Sequence, residues 1–313
     1  MPDAALRTFI AATILVLSAP AFAVSPQRVF VASTGSDANA CSITQPCRGF
    51  ATAIAAVASS GEVIVLDSAG YGPVTISTAV SIIAPSGVYA GITVTGDAGV
   101  TVAAGGSDKV VLRGLSINGQ GGAYGVRVSS GKEISIEDCH IGNLATGGIL
   151  VEGGTATHIA RTMIRGINNF GIWASPSSPV NITLTIVDTD VSDVSYNGVH
   201  INPVVPGSVV NASATRVSSS HNVGNGFSIF TNNTGAATLA VIDSASNDNG
   251  GIGISATGTN AIAIVSGSSF VGNASLDLLQ GTGGVLRTST NNTVSGRGAA
   301  LDIGGTLTTN SLK

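Results

Sequence analysis

The sequence predicts an all-β solenoid, a parallel β-helix closed at its N-terminal end by a short helix. Three observations predict it. A Gly-apolar motif recurs about every 25 residues. Glycine makes up 42 of 313 residues, about 13% against a usual share of about 7%. No helical apolar spacing stands between the repeats. Charged residues are 10% and aromatics 4%, and 13 Lys+Arg face 17 Asp+Glu for a net charge of −4. Low charge with 43% apolar content argues against disorder. The missing basic surplus argues against a nucleic-acid partner. Glycine without a G-X-Y period excludes collagen.

In chain order, the first element is an address. Arg7 precedes the apolar run Phe9 to Leu17, and Ala21-Phe22-Ala23 follows with small residues at the −3 and −1 positions of a cut after Ala23. Residues 1–23 are therefore expected to be a secretory signal peptide, and the protein secreted or periplasmic. A buried N-terminal helix is the competing reading. No later run reaches 18 apolar residues, so no membrane span is expected in the mature chain. Residues 24–61 are expected to form a cap: the strand Val29–Val31, the Cys41/Cys47 clip, and a helix over Phe50 to Ala58 with apolar residues at helical spacing. In an oxidising compartment Cys41 and Cys47 pair as a local disulfide; a metal site is the alternative, without a second pair or His cluster nearby. Cys139, left over, reads as inert core.

Residues 62–300 carry the repeat. Gly125-Val-Arg-Val, Gly148-Ile-Leu-Val, Gly171-Ile-Trp-Ala, Gly198-Val-His-Ile, Gly226-Phe-Ser-Ile and Gly251-Ile-Gly-Ile are spaced by 23, 23, 27, 28 and 25 residues. Leu276-Asp-Leu follows, and Gly91-Ile-Thr-Val reads as an earlier copy. A second alternating set includes Ile134-Ser-Ile136, Leu184-Thr-Ile186 and Ile262-Ala-Ile264. Each repeat holds two or three short strands that cannot bury their apolar faces alone, whereas stacked repeats can. Extra residues go into loops, at Ser175–Pro179 and Asn202–Pro206, where proline is tolerated. Residues 301–313 offer Leu301, Ile303, Leu307 and Leu312 as a last strand or a tail.

With these repeats the chain resembles the right-handed parallel β-helix proteins of the pectin lyase-like superfamily, over most of residues 62 to 300. The resemblance implies a right-handed coil and raises sugar chemistry as an expectation. Polygalacturonase-like members carry N-T-D, D-D, G-H-G and R-I-K; only Asp188-Thr-Asp190 echoes the first. Pectate lyase-like members hold calcium with clustered acids and use a basic residue for proton abstraction. The best such cluster here is Asp188, Asp190 and Asp193 with His200 and Arg165 or Arg216.

Alignment of the coils by glycine gives columns. One reads Arg127, Leu150, Trp173, His200, Ser228, Gly253, Asp277 and is expected to face solvent. In it Arg127, Trp173 and His200 are the binding candidates: Trp173 either stacks on a sugar face or covers apolar surface under a loop. A second column reads Ser116, His140, Met163, Asp190, Arg216, Ser244, Ser269, with Asp190 and Arg216 as an expected ion pair. A third, Leu115, Cys139, Thr162, Thr189, Thr215, Asp243, Ser268, reads as an inward ladder of hydroxyls. Asn143, Asn197, Asn225, Asn249 and Asn273 are among asparagines that turn chemistry explains.

Two functions stay open. One is a non-catalytic exported protein that binds a glycan or a cell surface, with no cofactor and as a monomer. The other is a divergent polysaccharide lyase or glycoside hydrolase, for which alone Ca2+ is relevant. Convergence of Asp188, Asp190, Asp193 and His200 in one groove would favour the second.

Overall fold

The structure, a computed structural model, describes residues 25–232, 235–295 and 303–309. The expected signal segment, and Leu301 and Leu312, lie outside the described residues. The chain winds as a right-handed parallel β-helix, as the connection of parallel strands favours. One turn runs through Gly147–Val151, Ala156–Ala160 and Met163–Ile167 before the next begins at Phe170–Ala174. Among the described residues these strands stack into sheets of ten, twelve and seven strands, with the two-stranded pair Ser269–Phe270 and Thr293–Val294 beyond the last. We call them the cleft sheet, the long sheet and the short sheet. Every pairing is parallel, for instance Ile149 with Ile172 and Ile159 with Ile186.

Alternation drives this arrangement. In the cleft sheet the inward column Val126, Ile149, Ile172, Val199, Phe227, Ile254, Leu278 is at most 2% exposed. Each such burial contributes about 1.5–3 kcal/mol. The recurring glycine is also inward. Its backbone is not left-handed; the reason for glycine is space. A Cβ on Gly171 would stand 2.3 Å from Val191 Cγ1, and one on Gly226 2.7 Å from the Ser219 carbonyl oxygen.

The expected inward ladder exists with changed membership. Thr162 and Thr189 are buried, and Thr162 Oγ1 accepts from the Cys139 amide at 3.4 Å. The ladder then continues through Val217, Ser244 and Ser268 instead of Thr215 and Asp243, with the Val217 amide donating to Ser244 Oγ at 3.0 Å and the Ser244 amide to Ser268 Oγ at 3.1 Å. Cys139 is fully buried; burial pushes its thiol up to about 12. The expected Asp190–Arg216 pair is also displaced. Asp190 lies beside Ser218, and Arg216 pairs with Asp188 at 2.6 and 3.0 Å. Arg216 occupies a left-handed corner between the long and short sheets (φ 53°), and a corner residue breaks the strand's alternation.

Two further alignments change. Gly91 belongs to the short sheet; the earlier cleft-sheet copy is Gly99-Val-Thr-Val, since Val100 pairs with Val126. Phe227 pairs with Ile254, so Gly253, not Gly251, continues the glycine column, and Ser228 is followed by Ser255. Asn249 and Asn273 are not turn residues. With Asn222 they form a buried ladder: Asn222 Nδ2 donates to Asn249 Oδ1 at 3.1 Å and Asn249 Nδ2 to Asn273 Oδ1 at 2.9 Å.

At the N-terminal end, Arg28–Val31 pairs with Gly61–Val65 as the outermost strand of the long sheet. Its other edge is covered by the segment that the Cys41–Cys47 disulfide closes. The Phe30 amide donates to the Cys41 carbonyl at 2.8 Å and the Ala32 amide to the Cys47 carbonyl at 3.0 Å. An uncovered edge would invite another chain. The helix spans Phe50–Ala56, with Phe50 and Ala53 buried, and Phe50 packs on Tyr71 at 5.2 Å between ring centroids. At the far end Ile303–Gly304 and Thr308–Thr309 add final strands to the cleft and long sheets.

Candidate functional site

The outward face of the cleft sheet changes height along the solenoid. Its central column runs Arg127, Leu150, Trp173, His200, Ser228, Ser255, Leu279. Large side chains give way to serines after His200, so the surface drops and a cleft of about 430 Å³ opens there. The column is not the open solvent face expected: Leu150, His200, Ser228 and Ser255 are all buried, because flanking side chains rise on both sides. On one side stand Phe170, Asn197, Asn225 and Ile252; on the other, Asn202, Phe230 and Thr257.

Phe170 is the hub of the upper wall. Its ring stacks on His200 at 4.7 Å and 9°, tilts against Trp173 at 4.6 Å, and meets Tyr196 edge-on at 5.3 Å. Trp173 is therefore packed behind Phe170, and its Nε1 is buried without a partner. Tyr196, 52% exposed, and Phe230, 42% exposed, are the rings the cleft offers to a ligand. Asn197 Nδ2 lies 3.4 Å from His200 Nδ1. Burial lowers the His200 imidazole to about 4, so at neutral pH it is an uncharged ring in the floor.

The amides on the wall are fixed by the next rung. Asn197 Oδ1 accepts from the Asn225 amide at 2.9 Å, and Asn225 Oδ1 from the Ile252 amide at 2.8 Å. This locks both side-chain planes: Asn197 is buried with its Nδ2 turned to His200, and Asn225 is part-exposed along the cleft. Apart from His200, the lining holds no basic side chain and no carboxylate. Such a surface stacks on flat apolar faces and exchanges hydrogen bonds with hydroxyls.

The other sequence candidates lie elsewhere. Arg127 stands three rungs from His200 and is held by Glu152 at 2.6 Å and Asp97 at 2.8 Å; these carboxylates raise its guanidinium further above its ordinary range. Asp188 is turned to Arg216, which holds its carboxyl below the usual range. Asp190 is on the short sheet and accepts from Ser192 Oγ at 3.0 Å. Asp193 is an exposed left-handed residue of that strand (φ 54°). The structure brings Trp173 and His200 together and does not bring the three aspartates to them. Among the described residues no three His, Cys, Asp or Glu side chains gather as metal ligands. Sequence reasoning missed Phe170, Tyr196, Asn197 and Asn225. A signal existed: Phe170, Asn197 and Asn225 each stand immediately before a repeat glycine.

Residues 79–236 match the family described as right handed beta helix region. Among curated proteins none matches the sequence. The fold is similar to a crystal structure of the pectate lyase Pel9A, with a TM-score of 0.61 and 11% identity over 93% of this chain and 80% of that one. It is also similar to the complex structure of XylC with xylose, with a TM-score of 0.55 and 9% identity over 86% and 76% of the two chains. At these identities the likeness is one of fold. No helix among the described residues is long and apolar enough to cross a membrane.

Proposed function

The chain belongs to the right-handed β-helix family, and we propose that it is an exported, non-catalytic glycan-binding protein whose ligand is an uncharged saccharide held in the cleft. The observation that carries this reading is the cleft's composition: Tyr196 and Phe230 are exposed beside the fixed, part-exposed amide of Asn225, with Ser228 and Ser255 in the floor and no carboxylate in the lining. Aromatic rings take the apolar faces of sugars, and planar amides recognise vicinal hydroxyls. Glycoside hydrolysis in most families needs two carboxyl groups flanking the bond, and the cleft supplies none.

The alternative, a divergent polysaccharide lyase or glycoside hydrolase, draws on the fold, which hosts many functions. Calcium belongs to that alternative alone. The acids present do not fit it: Asp188 is neutralised by Arg216, and Asp190 and Asp193 stand on a different sheet from His200.

Affinity electrophoresis through gels containing neutral polysaccharides tests the proposal, alongside assays for new reducing ends and unsaturated products. Retardation of the wild type by at least one neutral polymer is expected, weakened about tenfold in the Tyr196→Ala, Phe230→Ala double variant, from two stacking contacts of about 0.5–1.5 kcal/mol each. Product release by the wild type would sink the non-catalytic reading. Retardation unchanged in the double variant would move the ligand out of the cleft.

A further inference from the structure

The short sheet carries a second groove, on a different face of the solenoid, with a different chemistry. Tyr89 precedes the strand Ala90–Val94 and is 53% exposed. Its ring lies over the backbone of Gly91, where a Cβ would meet ring atoms at 2.6 and 3.0 Å. The following rungs place Ser116, His140 and Met163 in one outward column, and Asn118, Gly142 and Arg165 in the next. Gly142 lacks a side chain between Asn118 and Arg165, so a trough of about 280 Å³ runs from Tyr89 to Arg165. It continues past Tyr89 into a space of about 610 Å³ beside Arg113. Asn143 Nδ2 donates to Asn118 Oδ1 at 2.6 Å, which fixes the amides on its wall.

The electrostatics select the ligand. Arg28, Arg113, Arg127, Arg161 and Arg216 each have a carboxylate within ion-pair distance. Arg165, exposed at the end of the trough, has none among the described residues. By register the nearest acids are Asp193, which follows the Ser192 paired with Arg165, and Asp190, which is paired with Met163 and accepts from Ser192; neither reaches Arg165 as an ion pair, and Asp138, lining the far space, is held by Arg161. The trough thus offers an aromatic platform at one end and an unmatched guanidinium at the other. Three rungs separate them, about 14 Å along the axis at about 4.8 Å per rung.

From this placement we infer that the short-sheet groove is a second binding site, for an anionic oligosaccharide laid across the rungs. A sugar ring stacks on Tyr89, and a carboxylate or sulfate ester a few residues along the chain meets Arg165. A guanidinium binds either group through paired N–H donors. The span requires an oligomer, and a single sugar fails to reach both contacts. The inference does not depend on the cleft, since the two sites share no residue.

Binding of the full-length protein to a polyuronate, to dextran sulfate and to uncharged dextran tests it, with Arg165→Gln and Tyr89→Ala as separate variants. Both changes are at exposed positions, and thermal melts verify that each variant is folded. At least one anionic polymer should bind, with affinity falling about tenfold in each variant, while retardation by a neutral polymer that uses the cleft stays unchanged. The carboxylate and sulfate arms identify which acid is preferred. Binding of neither anionic polymer, equal binding of uncharged dextran at this groove, or anionic binding unaffected by Arg165→Gln overturns the inference. Conversely, Tyr196→Ala with Phe230→Ala should leave anionic binding intact, so failure of the cleft proposal and of this one read out separately.

Discussion

Acidification should destabilise the protein through His200 before the carboxyls that ion pairs and hydrogen bonds hold low are titrated. The ring is 7% exposed and stacked on Phe170, and burial lowers it to about 4 against about 6.5 in an unfolded chain. The folded value lies below the unfolded one, so as pH falls the unfolded chain takes up the proton first. Stability is therefore whole above about pH 6.5, declines as pH falls toward 4, and the loss is complete below that. At 1.36 kcal/mol per pKa unit the loss is about 3 kcal/mol, most of it by about pH 4.5. Asp67, Asp138 and Asp188 have carboxyls held below their ordinary range; each contributes stability above that range and loses it only under about pH 4, outside the His200 window. The other three histidines are exposed. Urea denaturation midpoints at neutral pH and at about pH 4.5, for wild type and His200→Gln, isolate the effect. The wild type should lose about 2–3 kcal/mol more than the variant across that interval. Equal losses would refute the buried neutral imidazole.

Three other outcomes follow from the packing. Gly171→Ala should cost about 1–3 kcal/mol by overpacking, whereas Gly96→Ala, with open space at its Cβ, should stay within about 0.5 kcal/mol; parallel denaturation midpoints compare them. Asn249→Ala removes the acceptor of the Asn222 amide and side chain and a donor to Asn273, and should lower stability by about 2–5 kcal/mol through stranded buried groups. Asp188→Asn, at an exposed ion pair, should leave both the midpoint and glycan retardation unchanged; a loss of any polysaccharide-cleaving activity in this variant would return Asp188 to the site.

The fold was legible because a solenoid writes its core once per turn. The Gly-apolar motif marks an inward position where Val191 or Ile164 leaves no room for a Cβ, and no other residue type recurs so strictly. Register was less legible, for two reasons. Arg216 for Ser218 and Asp243 for Ser244 fall at the left-handed corner, where alternation is broken. Gly251 for Gly253 is a slip of two residues, which keeps every side chain on its face, so alternation does not detect it. The buried asparagines do: Asn222, Asn249 and Asn273 each stand four residues before the cleft-sheet position held by Gly226, Gly253 and Asp277. The site was half legible. Trp173 and His200 were found because they are rare residues on adjacent rungs. Phe170 and Tyr196 were missed because their roles depend on how far neighbouring side chains stand from the sheet, and a period-two pattern carries no height.

Alternating charge explains how the corner between the long and short sheets accommodates its acids. Parallel stacking brings identical positions of successive turns to about 4.8 Å, where like charges directly opposite one another are destabilising. The left-handed corner between the long and short sheets meets this constraint by alternating sign: Asp138, Arg161, Asp188, Arg216 and Asp243 have φ of 54°, 48°, 49°, 53° and 47°, with Asp138–Arg161 and Asp188–Arg216 contacts of 2.7 and 2.6 Å. Acids placed this way are neutralised on the neighbouring rung. A pair of carboxylates facing an open groove would instead need two like charges on one surface, with one of them pushed toward its neutral form. Neither the serine floor of the cleft nor the Tyr89–Arg165 trough contains such a pair. The scarcity of charge and the recognition surfaces thus share an origin: the stacked coil accommodates charge most readily in sign-alternating columns such as this corner, and the cleft and trough linings are left aromatic, amide and hydroxyl, with Arg165 as the unmatched cation of the trough.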